Sequence, residues 1–180
     1  MSDPPGIRIS DDGREFTLDY TGLLAYHGGG AVAGAAVGFR VMQAAAAALA
    51  GTEPWERNRV TVVSGHPGPG YRDAFEYVTR CVSRDRFRVD RDLPGGRHSP
   101  FQHYAFQFLA DDRVARMRAT ITLHAGVLPL RLFEVLRDLG KRADDSMLCH
   151  ELETLKQAIA DDVLCRTTGE LFDIDLATLH

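Results

Sequence analysis

Arg59-Val60-Thr61-Val62-Val63-Ser64-Gly65-His66-Pro67-Gly68-Pro69-Gly70 is the stretch on which the fold turns. Its first half is a β-branched run suited to the pleated, half-buried surface of a strand. Its second half holds three glycines and two prolines, which deny it regular structure and predict a loop. Beyond the loop, Ala74, Phe75, Val78 and Cys81 recur at helical spacing, so Asp73–Cys81 reads as a helix.

Upstream, the dense alanine of 31–49, with Val37, Val41 and Leu49 among it, predicts a tightly packed helix. Gly34 and Gly38 would let another backbone come close to it. Asp19 or Thr21 caps a shorter helix that runs through Leu23, Leu24 and Tyr26 to the glycine run 28–30. Residues 1–14, with Pro4, Pro5, Gly6 and the Asp11-Asp12-Gly13 turn, read as a loose lead-in. Downstream, strands are expected at 87–89, 102–109 and 114–123, with Asp111-Asp112-Arg113 as a hairpin tip. After Gly126, helices follow at 130–139 and 148–163, then an extended piece at 171–176. This order predicts an α+β fold: a mixed sheet of about four to five strands backed by helices, with C-terminal helices. Residues 1–17 form the lead-in and 18–180 a single domain.

The 180 residues are 44% hydrophobic, enough for one buried core and too apolar for a disordered chain. The apolar stretch 31–50 is interrupted by Arg40 and Gln43, which argues against a membrane span. The opening residues lack the basic-then-apolar order of a secretory signal. Cys81, Cys149 and Cys165 lie far apart with no Cys-x-x-Cys, which speaks against a disulfide framework or zinc ribbon and for the cytoplasm. Nineteen arginines face two lysines, a bias that a GC-rich genome produces without functional pressure. The net charge of −4 disfavours a nucleic-acid surface.

Two glycine-rich helix starts carry the chemistry. In Tyr26-His27-Gly28-Gly29-Gly30, bare backbone can approach an anion and the helix dipole favours negative charge, although close helix packing accounts for the same glycines. No Gly-Lys-Ser/Thr follows, so this is not a phosphate loop of the Walker type. The second start, 65–70, carries His66 and leads to Tyr71 and Asp73. Asp73 is either a catalytic carboxylate or an early-turn acid stabilised by the helix dipole. A third loop, Gly95-Gly96-Arg97-His98-Ser99-Pro100 followed by His103, suits a carboxylate or phosphate. The candidate catalytic residues are therefore His27, His66 and Asp73. The candidate ligand contacts are Gly28, Gly29, Gly30, Gly68, Gly70, Tyr71, Arg97, His98 and His103. His27, His66, His98 and His103 are the candidate metal ligands, although no compact signature such as His-Glu-x-x-His occurs.

Tyr26-His27-Gly28, followed by Gly34-Ala35-Ala36-Val37-Gly38-Phe39-Arg40, resembles the opening motif of the formylmethanofuran dehydrogenase E-subunit family. That motif runs His-Gly-His-x-Cys-Pro-Gly, three residues, Gly, an aromatic and Arg. Val60–Ser64 and Asp73–Cys81 are similar to the family's strand and its Asp-Ala helix ending in Gly-Cys-Thr. The later strands and Leu171-Phe172-Asp173-Ile174 fit the remaining plan, so the resemblance covers roughly residues 18–176. It implies an α+β homodimer with a metal site built from the His-Gly-His-x-Cys loop and a cysteine three residues before the helix Asp. Here Gly30 stands at the second histidine, after a one-residue insertion, with Val32 at the cysteine and Gly70 at the downstream cysteine. Only His27, Asp73 and Cys81 are kept, and the appended zinc ribbon is absent. Since valine and glycine cannot coordinate zinc, the family's usual metal site is lost on this reading.

Three functions follow as expectations. The first is a small-molecule binding protein or enzyme whose cleft, between the two glycine-rich helix starts, takes an anionic organic ligand. His27 and His66 would serve there as hydrogen-bond or acid–base groups, and Arg97 or His98 would steady the anion. The second is a rewired site for zinc or another transition metal on His27 and His66 with His98 or His103. The third is a non-catalytic dimeric assembly or regulatory protein, with Val32 and Tyr71 filling the former metal position. Formylmethanofuran chemistry itself is not implied, because no molybdenum or iron–sulfur ligand set is present.

Overall fold

The β-branched run read first lies inside a five-stranded sheet. In the computed structural model, which describes residues 4–179, it forms β4 (Val60–Ser64). The hairpin strands β1 (Ile7–Asp11) and β2 (Arg14–Leu18) precede it, with α1 (Tyr20–His27), α2 (Val32–Ala50) and β3 (Trp55–Glu56). After it come α3 (Pro69–Thr79), β5 (Phe87–Val89), β6 (Gln107–Asp112), β7 (Met117–Leu123), α4 (Leu130–Leu139), α5 (Ser146–Cys165), α6 (Thr168–Leu171) and β8 (Phe172–Thr178). The larger sheet has the order β5-β4-β6-β7-β8, parallel only between β4 and β5. The smaller has the order β2-β1-β3, antiparallel in the hairpin and parallel between β1 and β3. This is the expected α+β fold, with a five-stranded mixed sheet and C-terminal helices.

α2 is the central helix, touching α3, α5 and strands of both sheets. By length and composition it could cross a membrane, yet eleven of its nineteen residues, Phe39, Val41 and Met42 among them, are buried inside this fold. Glycines allow α3 to come close. A Cβ on Gly70 would fall 2.5 Å from both the Ala31 carbonyl oxygen and the Ala35 nitrogen, and one on Gly38 would fall 2.8 Å from the Ala74 Cβ. Phe75 and Phe108 meet edge to face at 5.6 Å and join α3 to the sheet.

The lead-in is structured, contrary to expectation. Asp12 (φ 51°) and Gly13 (φ 79°) turn the chain into the β1–β2 hairpin, the doubly left-handed turn that an Asp-Gly pair favours. Ile7 and Ile9 alternate inward, but β2 leaves most of its side chains in water, so it lacks an apolar stripe that would mark it as a strand. α3 begins at Pro69, four residues before the predicted start. Proline at the first helical position surrenders only an N–H that has no partner inside the helix. β6 starts at Gln107, later than expected, and the hairpin turn falls after Asp112, whose Oδ1 accepts from the Val114 and Ala115 amides.

Candidate functional site

The two glycine-rich helix starts converge, and each is organised by a histidine. Asp19 caps α1 by accepting from the Gly22 amide at 2.7 Å, and Gly28 (φ 77°) ends it, which brings His27 to the start of α2. His27 Nε2 accepts from the Ala31 amide at 3.2 Å, so the ring proton sits on Nδ1 and is donated to Asp73 at 2.7 Å. α2 has no side-chain cap of its own at Ala31, and the imidazole supplies an acceptor there instead. Asp73 lies on the second turn of α3, not at its start. Both ring nitrogens of His27 are therefore engaged within the chain.

His66 stands apart from that pair. Its Nδ1 accepts from the Gly68 amide at 2.9 Å, and Ser64 brackets its backbone by accepting from its amide and donating to its carbonyl. Three aromatic rings enclose it, with centroids at 4.6 Å (Tyr71), 4.7 Å (Tyr104) and 5.0 Å (Phe106). Burial, with a smaller contribution from the Arg91 charge, pulls its pKa down to about 4. The ring is thus neutral at pH 7, and with Nδ1 accepting, the proton resides on Nε2. Among the described residues no hydrogen-bond partner of Nε2 is found. Burial also pushes the Tyr71 phenol well above the usual tyrosine range.

His66, Tyr71, Gly68 and Gly70 line a cavity of about 160 Å³ together with Ala31 and Gly34. Leu128, Leu132, Phe133 and Leu136 line it from the α4 side, and Leu152 and Lys156 from α5. Lys156 Nζ donates to the Gly30 carbonyl at 3.1 Å and pairs with Glu153 at 2.7 Å. Gln102 and Lys156 are the other polar side chains on a wall that is otherwise apolar.

The remaining sequence candidates fall elsewhere. Gly28 spends its amide on the Leu24 carbonyl, and Gly29 and Gly30 face open space. The Gly68 amide is occupied by His66, and Gly70 is a packing contact that also borders the cavity. Arg97 is exposed and donates to the Arg91 carbonyl. His98 Nε2–H donates to the Leu123 carbonyl at 2.6 Å and stacks on Phe106, outside the cavity lining. His103 is exposed. The four metal candidates are not assembled: among the described residues, no three His, Cys, Asp or Glu side chains are grouped to hold an ion. Val32 is half-buried and not on the cavity wall, whereas Tyr71 is buried on it.

Sequence reasoning missed Tyr104, Phe106, Leu132, Phe133 and Lys156. Each belongs to a segment whose pattern reports only that it packs. The scarcity of lysine was the one local mark on Lys156.

No protein-family model matches the chain, and a search of curated proteins finds no relative.

Proposed function

We propose that this chain binds a small organic anion in the cavity between the starts of α2 and α3. The observation that carries this reading is the partnerless Nε2–H of a neutral, aromatic-walled His66 on a half-open, mostly apolar cavity. A cavity of about 150 Å³ accepts a molecule the size of benzene, so the ligand's body is a small ring or branched chain. Lys156 would pair with its acidic group, with the N-terminal ends of α2 and α3 adding favourable dipoles. The reading favours binding over base catalysis. A general base works best with a pKa near the operating pH, whereas His66 acts here as a hydrogen-bond donor and His27 as a tie between helices. On this proposal the chain is an E-subunit-like domain whose cleft holds an organic anion in place of a metal, in a homodimer.

Titration with benzoate and 3-methylbutanoate, read on the His66 ring nitrogens by NMR, tests the proposal. Saturable shifts are expected, weakened at least about fivefold in Lys156→Ala and abolished in Leu136→Trp, which fills the cavity. No saturable shift with either acid, or full affinity in Leu136→Trp, would remove the proposal. Native mass spectrometry of the freshly purified protein reads any retained ligand and the dimer in one experiment.

A further inference from the structure

The fold buries two arginines almost equally, Arg40 at 5% and Arg57 at 4% exposure, and treats them in opposite ways. Arg57 donates to the Val78 and Tyr77 carbonyls and pairs with Asp11 at 3.3 Å, so its charge and its protons are both answered. Arg40 donates to the Gln43 side chain and to the Arg166 carbonyl. Among the described residues no carboxylate lies within ion-pair distance of it, and its fully buried Nε–H has no partner. Among the described residues Arg86 also lacks a carboxylate partner, but it closes on three carbonyls, those of Arg57, Val60 and Thr79, and lines neither the cavity that Arg40 borders nor that of His66. A guanidinium cannot shed its proton at physiological pH, and a buried charge without a counter-charge is strongly unfavourable.

Arg40 borders a cavity of about 970 Å³ between the C-terminal half of α2, the chain leading into β1, and the α5–α6 turn. That volume is typical of sites for organic ligands. Arg8 and Arg166 lie on its wall, each already paired, with Glu15 and Asp162 respectively. Glu53 is the one carboxylate residue among the described residues that line it, and it does not reach Arg40. Ala46 and Leu164 supply apolar surface. Burial lowers the Arg40 pKa, because desolvation disfavours its charged form.

We propose that this cavity is a second ligand site, taking a small organic anion whose carboxylate or phosphate group pairs with Arg40. The planar fork of a guanidinium donates parallel N–H bonds to either group. The site lies along α2 from the His66 cavity and stands independently of the function proposed above.

Calorimetric titration with inorganic phosphate and, separately, glutarate in chloride buffer at constant ionic strength tests the site and shows which group it takes. One-site binding of at least one probe is expected, weakened at least about tenfold in Arg40→Gln and less in Arg40→Lys. Binding of neither, or unchanged affinity in Arg40→Gln, overturns the proposal. Should Arg40→Gln fail to fold, the wild-type protein gives a second readout. Cys165 lines this cavity whereas Cys149 does not, and both thiols are exposed. Bound probe should slow alkylation of Cys165 by iodoacetamide about fivefold and leave Cys149 unchanged. Protection of neither thiol, or of both equally, overturns the site. Asp3 adjoins the wall residue Pro4 in sequence. Probe affinity that rises about tenfold in Asp3→Asn would make the chain's own carboxylate the partner of Arg40 and overturn the proposal.

Discussion

His27 and Asp73, 46 residues apart, meet at 2.7 Å, with the histidine side chain only 5% exposed. The same ring takes the Ala31 amide on its other nitrogen. One imidazole therefore ties the end of α1 to the start of α2 and to the second turn of α3. Residue types that elsewhere make a polarised base are used here to hold three helices in register.

Alanine at either position should destabilise the fold by about 1–3 kcal/mol, the range for losing a part-buried, charge-assisted hydrogen bond. The two losses should not add: a double-mutant cycle is expected to give a coupling of about 0.5–3 kcal/mol, measured by urea unfolding. Asp73→Asn keeps an acceptor for Nδ1–H and should cost less than Asp73→Ala. Strict additivity would mean that the pair does not act as a unit.

The glycines of the two helix starts should separate under alanine substitution. Gly70→Ala drives a Cβ into the α2 backbone and is expected to cost about 1–3 kcal/mol. Gly28 sits at φ 77° and ψ −175°, a region essentially reserved for glycine, so Gly28→Ala should cost about 1–3 kcal/mol. Gly29→Ala and Gly30→Ala meet open space and should stay within about 0.5 kcal/mol of the parent. Thermal or denaturant unfolding of the four variants decides the order. A loss at Gly29 or Gly30 comparable to that at Gly70 would contradict the assignment.

The depressed pKa of His66 makes stability depend on pH in a defined window. Above about pH 6.5 the ring is neutral in both folded and unfolded chains and contributes no slope. As the pH falls from about 6.5 to about 4, the unfolded chain takes up a proton that the folded one refuses, so stability is lost progressively. The loss should reach up to about 3 kcal/mol, and His66→Gln should remove that part of the slope. Chemical denaturation at about pH 7, 5.5 and 4.5 on both proteins provides the check, and equal slopes would refute it.

The three cysteines should react as two classes. Cys149 and Cys165 are exposed, whereas Cys81 is fully buried and burial pushes its thiol up to about 11. A disulfide reagent at about pH 8 is expected to titrate two thiols in the folded protein and the third only after unfolding. Rapid titration of all three would show that the α3 end of the core opens readily.

Local pattern was enough for the elements that carry their own signal. The β-branched run of β4, the alanines of α2 and the Leu152, Ile159 and Val163 spacing of α5 each declare a period within one element. Gly34 and Gly38 were also legible as a close approach, because absent side chains mean the same thing in any helix. β1 and β2 were not. β2 exposes side chains on both faces, and the short β1 is fixed by pairing with it and with β3, which follows some forty residues later.

The site divides along the same line. From the sequence alone came the two glycine-rich helix starts, their histidines and the expectation that they share a cleft. Tertiary structure decided which histidine faces the cavity, because His27 is consumed by Asp73 and Ala31 whereas His66 keeps one nitrogen. It also decided the far wall of the cavity, since Leu132, Phe133 and Lys156 come from helices more than sixty residues downstream of His66. Periodicity records how a segment meets its nearest layer. Which polar atoms are left over is set only when all layers have closed, because hydrogen bonds are claimed by whichever partner long-range packing brings within reach.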